Sequence, residues 1–185
     1  WDLGFNDSTV IWIYQFINKE IHMIECIYDS GKPLTHYLQL LKSRPYAYEK
    51  HFVPHDAAAT ELTTGMTRVE VARNFDIKFI VAPRISVIEG IDAVRNMLNR
   101  CWFDEHKCKA GLQALENYKK QWNDRLGCWA DKPLHDSASD GADAFRTAAV
   151  MLSAADRKNV SSHEIDKRYN EFAMGGNPHL PDFFR

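Results

Sequence analysis

The sequence predicts an α/β domain built on a mixed β-sheet flanked by helices, and three observations predict it. Two runs of β-branched and aromatic residues come first and in tandem. Segments with helical periodicity then alternate with short apolar strands, and a helix apolar on most sides closes the order. The expected division is a domain over residues 1–155 and a polar C-terminal tail over 156–185, with room for one short helix.

Taken in order, Trp1 to Gly4 reads as the end of a first strand, followed by the turn Phe5-Asn6-Asp7-Ser8. Val10 to Phe16 and Ile21 to Tyr28 form a hairpin across Asn18-Lys19-Glu20. Gly31 and Pro33 break the chain, and Leu34, Tyr37, Leu38 and Leu41 then recur at helical spacing up to about Arg44. His51 to Pro54 is a short strand, Thr67 to Phe75 a helix and Lys78 to Val81 another strand. Val87, Ile91, Val94 and Leu98 mark a helix, Cys101 to Phe103 a strand, and Leu112, Leu115 and Tyr118 a helix ending near Lys120. Gln121 to Leu134 reads as a hairpin or extended loop around Gly127, and Ser139 as the cap of a helix from Asp140 to about Ala155. The predicted sheet is antiparallel at the start and parallel later, the strand and helix order of the RNase H-like fold.

Composition narrows the function. The chain has 185 residues, 45% hydrophobic and 26% charged with both signs interspersed, which suits a folded domain with a sizeable core. No apolar run approaches the roughly 20 residues that span a bilayer, so no membrane partner is expected. The start at Trp1, without an initiator Met and directly on a strand-like segment, reads as a piece of a longer polypeptide. Cys26, Cys101, Cys108 and Cys128 form no C-x-x-C pair, which speaks against structural zinc and for reduced thiols. A formal net charge of −2 argues against a tight, autonomous DNA-binding module but not against a nuclease within a larger machine.

Three carboxylates carry the candidate chemistry. Asp2 lies between apolar neighbours on the first strand, where a charge needs a positive partner unless it is an ordinary strand-end Asp at a turn. Asp56 follows the strand His51 to Pro54 at its carboxyl end, the edge where open α/β sheets bind ligands, and can equally be a helix cap or turn residue. Asp143 shares a helical stripe with Thr147, Val150 and Ala154, so it too needs a partner. Asp140, one turn earlier, is accounted for by the preference of acidic residues for a helix's first turn. Hard oxygen ligands of this kind suit Mg²⁺ or Mn²⁺, and two such ions about 4 Å apart activate water and stabilise a leaving oxygen.

The motifs also resemble a known family. Asp2-Leu3-Gly4-Phe5-Asn6-Asp7-Ser8-Thr9 resembles the opening D-x-G-x-x-D-x-T of phage terminase nuclease domains. Gly111-Leu112-Gln113-Ala114-Leu115-Glu116-Asn117-Tyr118, then Pro133-Leu134-His135-Asp136, then Gly141-Ala142-Asp143-Ala144-Phe145-Arg146 resembles that family's C-terminal block. The resemblance covers most of residues 1–155. It implies a metal-dependent endonuclease that cuts double-stranded concatemeric phage DNA during packaging, with Asp2, Asp56 and Asp143 as catalytic metal ligands. Many relatives carry His where this chain has Asp140, leaving an auxiliary ligand and a capping role both open. Asp7 and Asp136 read as turn and capping residues. The resemblance further implies an N-terminal packaging ATPase in the same full-length chain, portal and small terminase subunit as partners, and the host bacterial cytoplasm as location. Ser30-Gly31-Lys32-Pro33 is a turn and not a phosphate-binding loop, so the motor is not here.

For DNA contact, Lys119, Lys120 and Arg125 flank a hairpin carrying Trp122 and Trp129; Arg68 and Arg73 rank lower. An ordinary solvated hairpin with its tryptophans folded onto the core is the competing expectation. Other functions compatible with the pattern are a different RNase H-like nuclease of resolvase type, or a non-catalytic docking domain of a packaging motor.

Overall fold

A computed structural model describes residues 1–4, 7–60 and 65–159. In chain order the elements are β1 (Ser8–Ile17), β2 (Glu20–Ser30), α1 (Leu34–Ser43), β3 (His51–Val53), a 3-10 turn (His55–Ala58), α2 (Arg68–Arg73), β4 (Phe79–Val81), α3 (Val87–Leu98), β5 (Cys101–Phe103), α4 (Lys109–Asn117), β6 (Lys120–Asn123), β7 (Cys128–Pro133) and α5 (Ser137–Asn159). Trp1–Met151 makes one compact unit and Leu152–Arg185 a second, described only as far as Asn159. The predicted tail beyond residue 159 and the Phe5-Asn6 part of the first turn lie outside the described residues.

The mixed α/β architecture is the one expected. β1 and β2 pair antiparallel, with Asn18 at φ 58° turning the hairpin, and β5 joins the far side of β2 in parallel. β3 and β4 pair in parallel. The first residues connect the two sets of strands. Asp2 exchanges backbone hydrogen bonds with Val10 at 2.8 and 3.0 Å, and Trp1 N donates to Phe52 O at 3.0 Å. The spatial order is therefore β5, β2, β1, the Asp2 segment, β3, β4. The predicted first strand, Trp1 to Gly4, shrinks to a single bridge at Asp2.

Alternation along β1 builds a core on each face of the sheet. Ile11 and Ile13 pack into a cluster with Tyr37, Leu38 and Leu41 of α1 and with Ala72 of α2. Trp12 points the other way, with its ring 5.2 Å from Phe145 of α5 and 5.9 Å from Phe103 of β5. Local chemistry starts the helices. Thr67 with Glu70, and Ser86 with Glu89, form complete capping boxes ahead of α2 and α3. The expected Ser139 cap is corrected: Asp136 Oδ1 accepts from Ala138 N at 3.0 Å and Ser139 N at 3.2 Å, so α5 starts at Ser137, and it runs to Asn159. The C-terminal end of α4 is likewise earlier than predicted, because Lys120 is claimed by the ladder of β6.

Two glycines let α4 and α5 approach the sheet and each other. A Cβ at Gly111 would overlap the indole of Trp12 and lie 2.6 Å from Cys26 Sγ; one at Gly141 would lie 2.5 Å from Ala114 Cβ. Trp12 cannot yield, because it is buried and its Nε1 donates to Gly141 O at 3.0 Å. Gly111→Ala is expected to destabilise the fold by about 1–3 kcal/mol through overpacking. Chemical denaturation checks this, and an unchanged midpoint would refute the account of this packing.

Candidate active site

Asp2, Asp140 and Asp143 converge where the first backbone bridge meets the start of α5. Asp2 is half-buried, and its carboxyl Oδ1 accepts from Leu3 N at 3.1 Å. Burial, then the negative charge of Asp143, and less strongly that of Asp140, push its pKa up to about 7. Asp143 is raised as well, first by burial, with Arg146 opposing and Asp140 adding to the shift. The three carboxylates thus share one field: Asp143 and Asp140 make ionisation of Asp2 harder, and Asp140 that of Asp143.

Arg146 answers part of that charge. Its Nη1 lies 2.9 Å from Asp143 Oδ1, one helical turn along α5, and also donates to Tyr118 Oη at 3.4 Å. The contact with Asp143 lacks hydrogen-bond geometry: Oδ1 is shielded from solvent and accepts no hydrogen bond. Arg146 is held in place by α3, since its side chain lies where a Cβ on Gly90 would be. His135 is a second positive influence on Asp143, and its Nδ1 sits 3.1 Å from Ser139 Oγ. Arg146, Tyr118 and His135 were not among the sequence-predicted site residues. All three stand at motif positions, and their i, i+3 spacing or their place at the hairpin roots was the available signal.

Asp140 does more than favour the helix dipole. It is buried, and its Oδ2 accepts from Ser8 N at 3.2 Å, which ties the first turn of α5 to the start of β1.

Asp56 stands apart from that cluster. It occupies the 3-10 turn after β3, where Phe52, four residues earlier, receives the Trp1 hydrogen bond. Its place at the strand end is the one expected, but its exposed carboxylate faces Arg68 at 3.6 Å. Among the described residues, no group of three or more His, Cys, Asp or Glu side chains is disposed to hold a metal ion. The donor chemistry nevertheless fits a hard cation: the oxygens are carboxylate, the charges of Asp143 and Asp140 oppose ionisation of Asp2, and Arg146 answers only part of that charge.

The basic candidates separate. Lys120 pairs with Asp131 at 3.3 Å across the β6–β7 hairpin, and Arg125 sits in its turn, where its backbone N donates to Asn123 Oδ1. Lys119 borders an open cavity of about 370 Å³ between α4 and the start of α5, lined also by Tyr28, Gln113 and Asn117. Arg68 belongs to Asp56, and Arg73 to the last turn of α2.

No protein-family model and no curated protein sequence matches the chain. Solved structures do. The large terminase of a thermophilic bacteriophage superposes with a TM-score of 0.62 at 18% identity, covering 82% of this chain and 38% of that one. The nuclease domain of the large terminase g2p from bacteriophage SPP1, crystallised with bound Mn, superposes at a TM-score of 0.55 and 13% identity. That match covers 83% of this chain and 82% of the SPP1 domain. This chain has the fold of a terminase nuclease domain. It spans well under half the length of the thermophilic phage's large terminase and most of the SPP1 nuclease domain. Among the described residues no helix is long and apolar enough to cross a membrane.

Proposed function

We propose that the chain is the nuclease domain of a phage or prophage terminase large subunit. In this reading it cleaves double-stranded DNA by metal-dependent phosphodiester hydrolysis, on concatemeric genomes in the host cytoplasm. The observation that supports it most is the convergence of Asp2, Asp140 and Asp143, whose charges raise the pKa values of Asp2 and Asp143, on the fold of a terminase nuclease domain. Asp2 and Asp143 stay hard to ionise although Arg146 and His135 offset part of the charge, and a cation would complete such a cluster.

Asp2 and Asp143 would hold Mg²⁺ or Mn²⁺, with Asp140 flanking, and Asp56 would join on exchanging Arg68 for the ion. The bound ions, two in the expected arrangement, would supply an activated water and charge stabilisation at the phosphate. Arg146 fixes the rotamer of Asp143 and, with His135, limits the negative field that a phosphodiester must approach. The Mn carried by the SPP1 nuclease domain supports the choice of ion. A packaging ATPase on the same full-length polypeptide, the portal and the small terminase subunit are the partners this role requires.

The test is cleavage of supercoiled plasmid in EDTA, Mg²⁺ and Mn²⁺, beside an Asp56→Asn variant. Nicking and linearisation are expected with either ion and not in EDTA, and Asp56→Asn is expected to lower the rate at least about 100-fold. Cleavage in EDTA, or none with either ion, would overturn the proposal, the second outcome favouring a non-catalytic docking domain. Full activity in Asp56→Asn would remove Asp56 from the ligand set. Preference for branched over linear DNA would favour a resolvase-type nuclease instead.

A further inference from the structure

The β6–β7 hairpin grows out of the wall of the carboxylate site. At one root Tyr118 receives Arg146, the partner of Asp143; at the other, His135 follows Leu134, whose N donates to Lys119 O at 2.9 Å. Between the roots the hairpin spends its largest apolar side chains on solvent. Trp122 stands opposite Trp129 in register, their rings 5.0 Å apart and inclined at 74°. They remain 44% and 58% exposed, against 5% for Trp12 in the core. The tryptophans are therefore not folded onto the core. A perpendicular pair covers only an edge against a face and leaves aromatic surface open.

The surroundings are basic. Residues 119–132 carry four basic side chains against two acidic ones, in a chain whose formal net charge is −2. Cations beside open indoles suit a polyanion that presents flat apolar faces. Intact duplex hides those faces in its own stack, whereas unpaired bases offer them whatever the sequence.

We propose that the β6–β7 hairpin binds unpaired DNA bases by stacking them on Trp122 and Trp129, so that the strand reaching the carboxylates is locally single. The ligand class, DNA, rests on the nuclease reading above. The basic side chains hold the backbone, and the indoles discriminate separated strands from duplex. A terminase-type cut at a frayed or nicked position is then favoured over one in undisturbed duplex.

The experiment is fluorescence anisotropy of a labelled oligonucleotide, as single strand and as duplex, in EDTA so that nothing is cut. The wild type is expected to bind the single strand more tightly. Trp122→Ala and Trp129→Ala are each expected to weaken single-strand binding about 10-fold and to leave duplex binding unchanged. Trp129→Phe should retain most of the affinity. Trp102→Ala is the control, because Trp102 is 59% exposed yet belongs to β5, where it stacks on His22 of β2. Equal binding of both forms, no binding of either, no loss in the two hairpin variants, or an equal loss in Trp102→Ala would each overturn the proposal. Stacking without metal-dependent plasmid cleavage would instead defeat the nuclease reading and leave this one standing.

Discussion

Asp143→Asn is expected to reduce metal-dependent DNA cleavage by a factor on the order of 10³ or more while the protein stays folded. The side chain keeps its shape and one oxygen, so its packing within α5's surroundings survives. What goes is one of the carboxylate charges that would draw a cation into the site. The stability cost is small because two effects oppose. Removing the carboxylate relieves the repulsion on Asp2, but it leaves Arg146 without its 2.9 Å partner. Arg146 and Asp143 retain 22% and 36% side-chain exposure, so solvent screens the pair and its loss costs about 1 kcal/mol at most. Cleavage rates and thermal denaturation of the same preparation check both halves. Wild-type activity in a folded Asp143→Asn protein would remove this residue from the chemistry, and collapse of the fold would mean its role is structural.

The fold was largely legible because most elements carry local signals. The Leu34, Tyr37, Leu38, Leu41 spacing became α1 with Tyr37, Leu38 and Leu41 buried, and Asn18 turns the hairpin where the polar break was read. Boundaries failed where a tertiary partner competes with local chemistry. Ser139 looked like a cap, yet Asp136 lies nearer the chain's entry and takes both amides. Trp1 to Gly4 read as a strand, but only Asp2 pairs with β1, because Gly4 must admit the backbone of Asp7 and Ser8 within 2.9 Å of a Cβ position. In the site, Asp2 and Asp143 were readable as charges in apolar company. Arg146 was not, since an arginine on a helix is usually solvated and only its lodging against Gly90 reveals otherwise. Asp56 shows the limit from the other side: its strand-end position was legible, while its pairing with Arg68 depends on a side-chain choice that no pattern encodes.

Asp2 makes the fold sensitive to pH in a direction opposite to that of a salt-bridged carboxylate. Its folded pKa of about 7 lies above the ordinary Asp value, so between about pH 4 and pH 7 the folded state holds a proton that the unfolded state has released. Stability from this group is therefore full below pH 4, falls as pH rises to about 7 and is level above. A shift of this size corresponds to an upper bound on the order of 4 kcal/mol, reduced by the partial exposure of the site. A divalent ion that binds the ionised cluster should reverse the loss, since it binds the folded state alone. Asp2→Asn should do the same without metal: at pH 8 in EDTA it is expected to melt several degrees above the wild type, with little further gain from Mg²⁺ or Mn²⁺, and to be inactive. The Asn side chain still accepts from Leu3 N, so the comparison isolates charge. Melting temperatures across pH 4–9, with and without metal, read this directly. A wild type that gains nothing from metal at pH 8, or an Asp2→Asn protein less stable than wild type there, would mean that the cluster is neither repulsive nor a cation site. The activity assigned to it would then need other residues. The reverse result gives the same carboxylates two measurable consequences, a metal-free protein weakened at neutral pH and a loaded one able to cut, because both come from negative charge that the fold leaves unbalanced.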